Sequence, residues 1–216
     1  MFAFIAREPI LDKSKSVFAY ELIFRDGKGG AYPEHSPEKA QYIEEQFHPL
    51  GLDDISGEKS SFINFSSETL ISRFPTTLDP ASVVVELADN PFTDTGLLEA
   101  CQHIKQLGYR LAIDDPMMLS ARHDILPLID IVKVDVSRTR FETIEKHIPR
   151  YLDANVRLVA EQVNTPDHFA TCSDLGFDLF QGYFFAQPEA RIVRQLPASK
   201  MNIVDLMGEV SGDSFD

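Results

Sequence analysis

The sequence predicts an α/β barrel, one closed ring of eight strands wrapped by helices. Three observations predict it. Eight short runs rich in β-branched and aromatic residues recur along the 216-residue chain, mostly separated by segments with helical spacing. From the third run onward each carries a polar or charged residue near its C-terminal end, at intervals that match one strand-helix unit. The composition, 44% hydrophobic and 25% charged, suits one domain large enough to bury a sizeable core.

The first two strands are "FAFIARE" (2–8) and "SVFAYELIF" (16–24). The link between them, "PILDKSK", is too short for a crossover helix, so it predicts a hairpin and an antiparallel first strand. A helix follows at "SPEKAQYIEEQF" (36–47), then strands at "SFINF" (61–65) and "SVVVELA" (82–88). The helix "FTDTGLLEACQHIKQLG" (92–108) closes on Gly108, as helix C-termini prefer. Strands "RLAIDD" (110–115) and "IVKVD" (131–135) come next, then the helix "SRTRFETIEKHIPRYLDA" (137–154). The last units are the strand "VRLVAEQV" (156–163), the helix "TPDHFATCSDLG" closing on Gly176, and the strand "DLFQGYFF" (178–185). Residues 1–196 are therefore assigned to the barrel. Residues 197–216 begin another amphipathic helix and dissolve into a polar tail, either a helix capping the barrel or a linker into a further domain.

Charge narrows the function. Lys and Arg number 20 against 34 Asp and Glu, and the net charge of -14 opposes general binding to DNA or another polyanion. An anionic ligand would need metal ions or a local cationic pocket. No apolar run reaches the ~18 residues of a membrane span, and Arg7 and Glu8 come too early for a secretory signal, so a soluble cytoplasmic protein is expected. Cys101 and Cys172 lie far apart without CxxC spacing and read as small buried residues.

The strand ends carry the chemistry. Glu21, Asn64, Glu86, the pair Asp114 and Asp115, Lys133, Glu161 and Gln181 stand there, and from Asn64 onward the intervals are 22, 28, 19, 28 and 20 residues. In a barrel such positions converge on the C-terminal face, where active sites of this architecture sit. Each has a bland reading too: Glu21 a solvated carboxylate, Asn64 a helix N-cap, the aspartates a turn opened by Pro116, Lys133 a surface cation. Taken together, hard oxygen donors at one rim point to a divalent cation, Mg²⁺ or Mn²⁺ with Ca²⁺ as a third candidate. Lys133 beside them suits a phosphate oxygen or a reacting water.

The order of motifs resembles the EAL domain family, whose active members hydrolyse cyclic di-GMP with two metal ions in a barrel having one antiparallel strand. "YELIFR" is similar to the Glu-Ala-Leu motif, "INFS" to the Asn motif, "VVVELADN" to the Glu-x-Thr-Glu strand and "AIDDP" to the double aspartate. "VKVD", "AEQVN" and "QGYFFAQP" are similar to Lys-Ile-Asp, Glu-Gly-Val-Glu and the closing Gln-Gly-Tyr motif. The resemblance runs from about residue 2 to 195 and is nearest to compact EAL domains that precede an HDOD domain, whose start the tail "KMNIVDLMGEV" would be. It implies that Glu21, Asn64, Glu86 and Asp114 ligate a first metal, and that Asp114 bridges to a second with Asp115 and Glu161. It further implies that Lys133 orders the attacking water, Gln181 supports the site and Arg25 meets the dinucleotide.

Departures from the family set the expected activity. Pro116 to Leu119 replace Phe-Gly-Thr-Gly, a loop that supports the second metal, and proline fixes φ and removes an amide donor. Asn164 replaces the second glutamate of Glu-Gly-Val-Glu, Gln162 its glycine, Asp89 the second glutamate of Glu-x-Thr-Glu, and Glu8 a first-strand glutamine facing substrate. These changes imply a degenerate member with weak or single-site metal binding. Three functions stay open, in this order: a catalytically silent module acting through protein contacts or an attached output domain, a receptor that binds cyclic di-GMP without cutting it, and a slow phosphodiesterase. Met117, Met118 and Leu119 read first as core under the next helix and second as an adaptable contact surface for a partner protein.

Overall fold

The structure is a computed structural model that describes residues 4–25, 52–65, 67–72, 78–87, 95–114, 126–187 and 189–192. Nine strands occur among them: β1 Phe4–Asp12, β2 Val17–Arg25, β3 Ser60–Phe65, β4 Val83–Leu87, β5 Arg110–Asp114, β6 Ile131–Asp135, β7 Arg157–Glu161, β8 Leu179–Phe180 and β9 Glu189–Ile192. Strands β2 to β8 are parallel neighbours in sequence order. β1 closes the ring by pairing antiparallel with both β2 and β8. The predicted barrel with one reversed strand is thus the observed fold.

The helices are α1 Leu52–Ser56, α2 Ser67–Ile71, α3 Thr95–Gln106, α4 Phe141–Asp153 and α5 Pro166–Leu175. α5 shows how local sequence sets the limits. The Thr165 hydroxyl accepts from the His168 amide at 3.1 Å, Pro166 occupies the first turn, and Gly176 ends the helix in the left-handed region at φ 101°. The segments 36–47 and 197–216 lie outside the described residues.

Two of the boundaries that differ from the sequence reading lie where the ring closes. The hairpin turn is shorter than "PILDKSK", because Pro9 to Asp12 continue β1 and only residues 13–16 turn. There the Asp12 carboxylate accepts from the amides of Ser14 and Ser16 at 2.8 and 3.0 Å. Proline is tolerated mid-strand since the outer edge of β1 is shared: β9 pairs with Phe4 to Arg7, β8 pairs with Leu11 and Asp12, and Pro9 falls in the gap. The second difference is the last strand, which keeps only Leu179 and Phe180 of "DLFQGYFF" and resumes on the same edge as the unforeseen β9.

Inside the barrel one apolar residue from each of β1 to β8 forms a plug: Ile10, Ala19, Phe62, Val84, Ala112, Ile131, Val159 and Leu179. Their alternates face outward, where Leu111, Val132 and Leu158 join Cys101, Ile104, Ile148 and Tyr151 in the larger core under the helices. Cys101 and Cys172 are fully buried, as expected, and burial pushes their thiols up to about 11 and about 12.

The excursion after β8 is held against the exit of β7. Val163 N–H donates to the Gln181 carbonyl at 2.9 Å, and Phe184 N–H donates to the Val163 carbonyl at 3.1 Å. Gly182, at φ 144°, lets the two backbones touch, because a Cβ there would lie 2.5 Å from both the N and the O of Val163. Gly182→Ala should therefore cost about 2–4 kcal/mol in urea unfolding; a loss below about 0.5 kcal/mol would mean that this contact relaxes freely.

Candidate functional site

Strand periodicity builds the site directly on the plug. Side chains two residues apart share a face, so the residue two positions after each plug residue also points into the barrel, one layer nearer its mouth. Those positions are Glu21, Asn64, Glu86, Asp114, Lys133, Glu161 and Gln181, all seven of them named by their strand-end positions. On the reversed β1 the count runs backward from Ile10 and supplies an eighth member, Glu8, which lies in register with Glu21 of β2.

Lys133 sits at the centre of this ring and is 1% exposed. Its ammonium lies 2.8 Å from Glu86 Oε1, 2.8 Å from Glu161 Oε1, 3.3 Å from Glu21 Oε2 and 3.6 Å from Asp114 Oδ1. Gln181 donates from Nε2 to Glu21 Oε2 at 2.6 Å. Glu86 is as buried as Lys133, and Asn64 is the exposed member. The surface-cation reading of Lys133 and the solvated-carboxylate reading of Glu21 are thereby excluded.

Electrostatics follow from the count, five carboxylates to one lysine in a space with little water. Burial pushes Glu86 well above the usual carboxylate range, with Lys133 opposing and Glu21, Asp114 and Glu161 adding. Burial likewise lifts Glu161 to about 7, again against Lys133, with Asp114 and Glu21 contributing. For Lys133 burial alone would favour the neutral amine, but Glu161, Glu21, Glu86 and Asp114 together hold it protonated and well above its ordinary value. Glu8 is raised by burial and by Glu21, and lowered by its hydrogen bond with Gln181 and by Lys133.

The donor chemistry fits a hard divalent cation. Glu86 Oε2, Asp114 Oδ1 and Gln181 Oε1 are buried without a hydrogen-bond partner, and the ring around them offers carboxylate and amide oxygens. Among the described residues, however, no three acidic, His or Cys side chains are grouped as a metal cluster of their own; the carboxylates gather about the ammonium instead.

Other candidates sit at or beyond the edge of the description. Arg25 ends β2, with its side chain outside the described residues, and Asp115, Asp89 and Pro116 to Leu119 lie outside them altogether. The Asn164 side chain accepts from the Tyr183 amide at 3.1 Å, tying the β7 exit to the turn after Gln181. Gln162 adopts φ 57°, so the backbone keeps the left-handed form suited to glycine although a side chain is present. No described helix is long and apolar enough to cross a membrane.

A sequence model of the EAL domain matches residues 51–188. The chain belongs to the EAL domain family. It is 36% identical over 93% of its length to the cyclic di-GMP phosphodiesterase CdgJ of Vibrio cholerae, of which it covers 47%. It is 28% identical over 98% of its length to the uncharacterized protein YuxH of Bacillus subtilis, covering 53%. The chain thus spans about half the length of these curated relatives. Among solved EAL structures, Klebsiella pneumoniae BlrP1 in a calcium/cyclic di-GMP complex superposes with a TM-score of 0.70 at 20% identity, over 87% of this chain and 56% of that one. A standalone EAL protein from Vibrio cholerae, bound to c-di-GMP, gives 0.64 at 23% identity over 87% of this chain and 92% of that one.

The raised Glu161 carboxyl makes EAL-domain stability depend on pH in a definite direction. The folded group keeps its proton up to about 7, whereas the unfolded one releases it near 4.5, so between those values the folded state binds more protons. Ion-free protein should therefore gain stability as pH falls through that window, in urea unfolding with a chelator present, and Glu161→Gln should flatten the gain. An unchanged slope in the variant would mean that Glu161 titrates normally.

Proposed function

We propose that the chain is a cyclic di-GMP signalling domain that takes a divalent ion weakly at one site, hydrolyses the dinucleotide slowly or not at all, and acts through ligand binding and protein contacts. The observation that supports it most is the assembled ring, in which Glu21, Glu86, Asp114, Lys133, Glu161 and Gln181 converge, with one buried oxygen each on Glu86 and Asp114 that accepts no hydrogen bond. Glu21, Asn64, Glu86 and Asp114 would hold the ion, Mg²⁺ or Mn²⁺ before Ca²⁺, while Asp115 and Glu161 belong to a second position. A divalent ion bound there supplies Lewis-acid polarisation of a phosphodiester and a more acidic water. The chain's own groups orient and neutralise: Lys133 and Arg25 offset phosphate charge, Gln181 fixes Glu21, and Glu161, titrating at about 7, is suited to receiving a proton.

Attenuation is supported by residues around the ring. Pro116 to Leu119 replace the loop that the family uses for its second ion. Asn164 offers an amide, already engaged by Tyr183, where a carboxylate would stand. Glu8 places a further acid in the ring, opposite Glu21, where the family has a glutamine. Residues 197–216 would lead toward an HDOD-type output domain, through which an inactive barrel could signal. A full phosphodiesterase is the second reading, favoured by the 36% identity to a relative that carries that name.

Two measurements separate the readings. Calorimetric titration with Mg²⁺ or Mn²⁺ should show one weak site, and two equal sites would overturn the single-ion reading. Purified protein with either ion should show no cyclic di-GMP turnover above background. Restoring Phe-Gly-Thr-Gly at 116–119 together with Asn164→Glu should recover activity, and neither change alone should recover much, since parts of one catalytic unit are strongly non-additive. Robust wild-type turnover that is lost in Glu21→Ala would establish the second reading instead.

A further inference from the structure

We propose that the Lys133 ammonium is the resident cation of the ring, that a divalent ion binds only as Lys133 leaves the carboxylates, and that the released ammonium is then presented to an anionic ligand. The inference rests on the metal-binding reading above and adds an order of events to it. Its basis is geometric. The ammonium engages Glu86 Oε1, Glu161 Oε1, Glu21 Oε2 and Asp114 Oδ1, the side chains a divalent ion would need. Lys133 and Glu86 are each 1% exposed, so little water screens two cations from one another within the ring. With the ammonium in place, no three acidic, His or Cys side chains among the described residues are grouped so as to hold a metal ion.

Lysine is the residue suited to such an exchange. Its charge is compact and rides on a flexible four-carbon arm, so it can swing toward the mouth without disturbing β6, which a rigid guanidinium could not do as readily. The barrel below the ring is closed by the apolar plug, which leaves the mouth as the direction of exit. A phosphate arriving there meets an ammonium that was previously engaged by four carboxyl groups. Ion and anion binding are then coupled, each raising the affinity for the other.

The test pairs a variant with a wild-type signal. Lys133→Met keeps the stem and removes the charge. It should bind Mg²⁺ at least about tenfold tighter than wild type by calorimetry, because the competitor is gone, and show a larger Mg²⁺-induced rise in melting temperature. In wild-type protein with ¹⁵N-labelled lysine, the exchange-protected Lys133 ammonium resonance should be lost or shifted with the same Mg²⁺ midpoint as calorimetry, a readout that stands even if the variant does not fold. Equal Mg²⁺ affinity in both proteins, or a Lys133 resonance unmoved through a saturating titration, would overturn the exchange while leaving metal binding intact. No Mg²⁺ binding by either protein would overturn both.

Discussion

A lysine ammonium buried among carboxylates is the interaction on which the mouth of this barrel depends. It joins β6 to β2, β4, β5 and β7 at one point, linking Lys133 to Glu21 across 112 residues of sequence. Such a cluster is a poor source of stability, since desolvation offsets most of its attraction, yet removing one partner of a buried pair costs about 3–5 kcal/mol because the charge left behind is stranded. Stability comes from the plug beneath, where Phe62, Ile10, Ile131 and Leu179 are almost fully buried. The ring is held in place by that core and contributes charge rather than cohesion.

Stacking the two layers also explains the shifted titration of the ring. Successive same-face residues on a strand are about 6.6 Å apart, so each carboxylate rests directly above an apolar side chain instead of water. Glu86 above Val84 and Glu161 above Val159 are both pushed upward chiefly by burial. Glu8 enters from the opposite direction, above Ile10 on the reversed strand, and is raised chiefly by the same burial. Lys133 is the one cation of this ring.

Much of this was legible in the sequence because both periodicities are strict. The spacing of strand ends identified six ring members from Asn64 onward, the position of Glu21 at its strand end added a seventh, and the short first connection identified the reversed strand. What was not legible has physical causes. Glu8 escaped the spacing argument because β1 runs the other way, so its ring residue precedes its plug residue; only the family resemblance drew attention to it. β9 escaped because Glu189 to Ile192 lacks a long apolar run and gains its place by pairing with β1. The early end of β8 depends on Gly182 meeting Val163, a contact between distant segments that local propensity does not carry.

The residues that differ from the family's motifs are not spread evenly over these layers. None falls in the plug and one, Glu8, falls in the ring; Leu22 and Ile23 stand on β2 where the Glu-Ala-Leu motif has alanine and leucine, and Asp89, Pro116 to Leu119, Gln162 and Asn164 follow the strands in sequence. The backbone around the last two nevertheless keeps its shape: Gln162 holds the left-handed turn without a glycine, and Asn164 bridges to Tyr183 with the side-chain oxygen it retains. Substitution there has changed charge while preserving the path that positions Gln181 against Glu21. The backbone that brings Gln181 to Glu21 is therefore in place although a glutamine and an amide stand at these two positions.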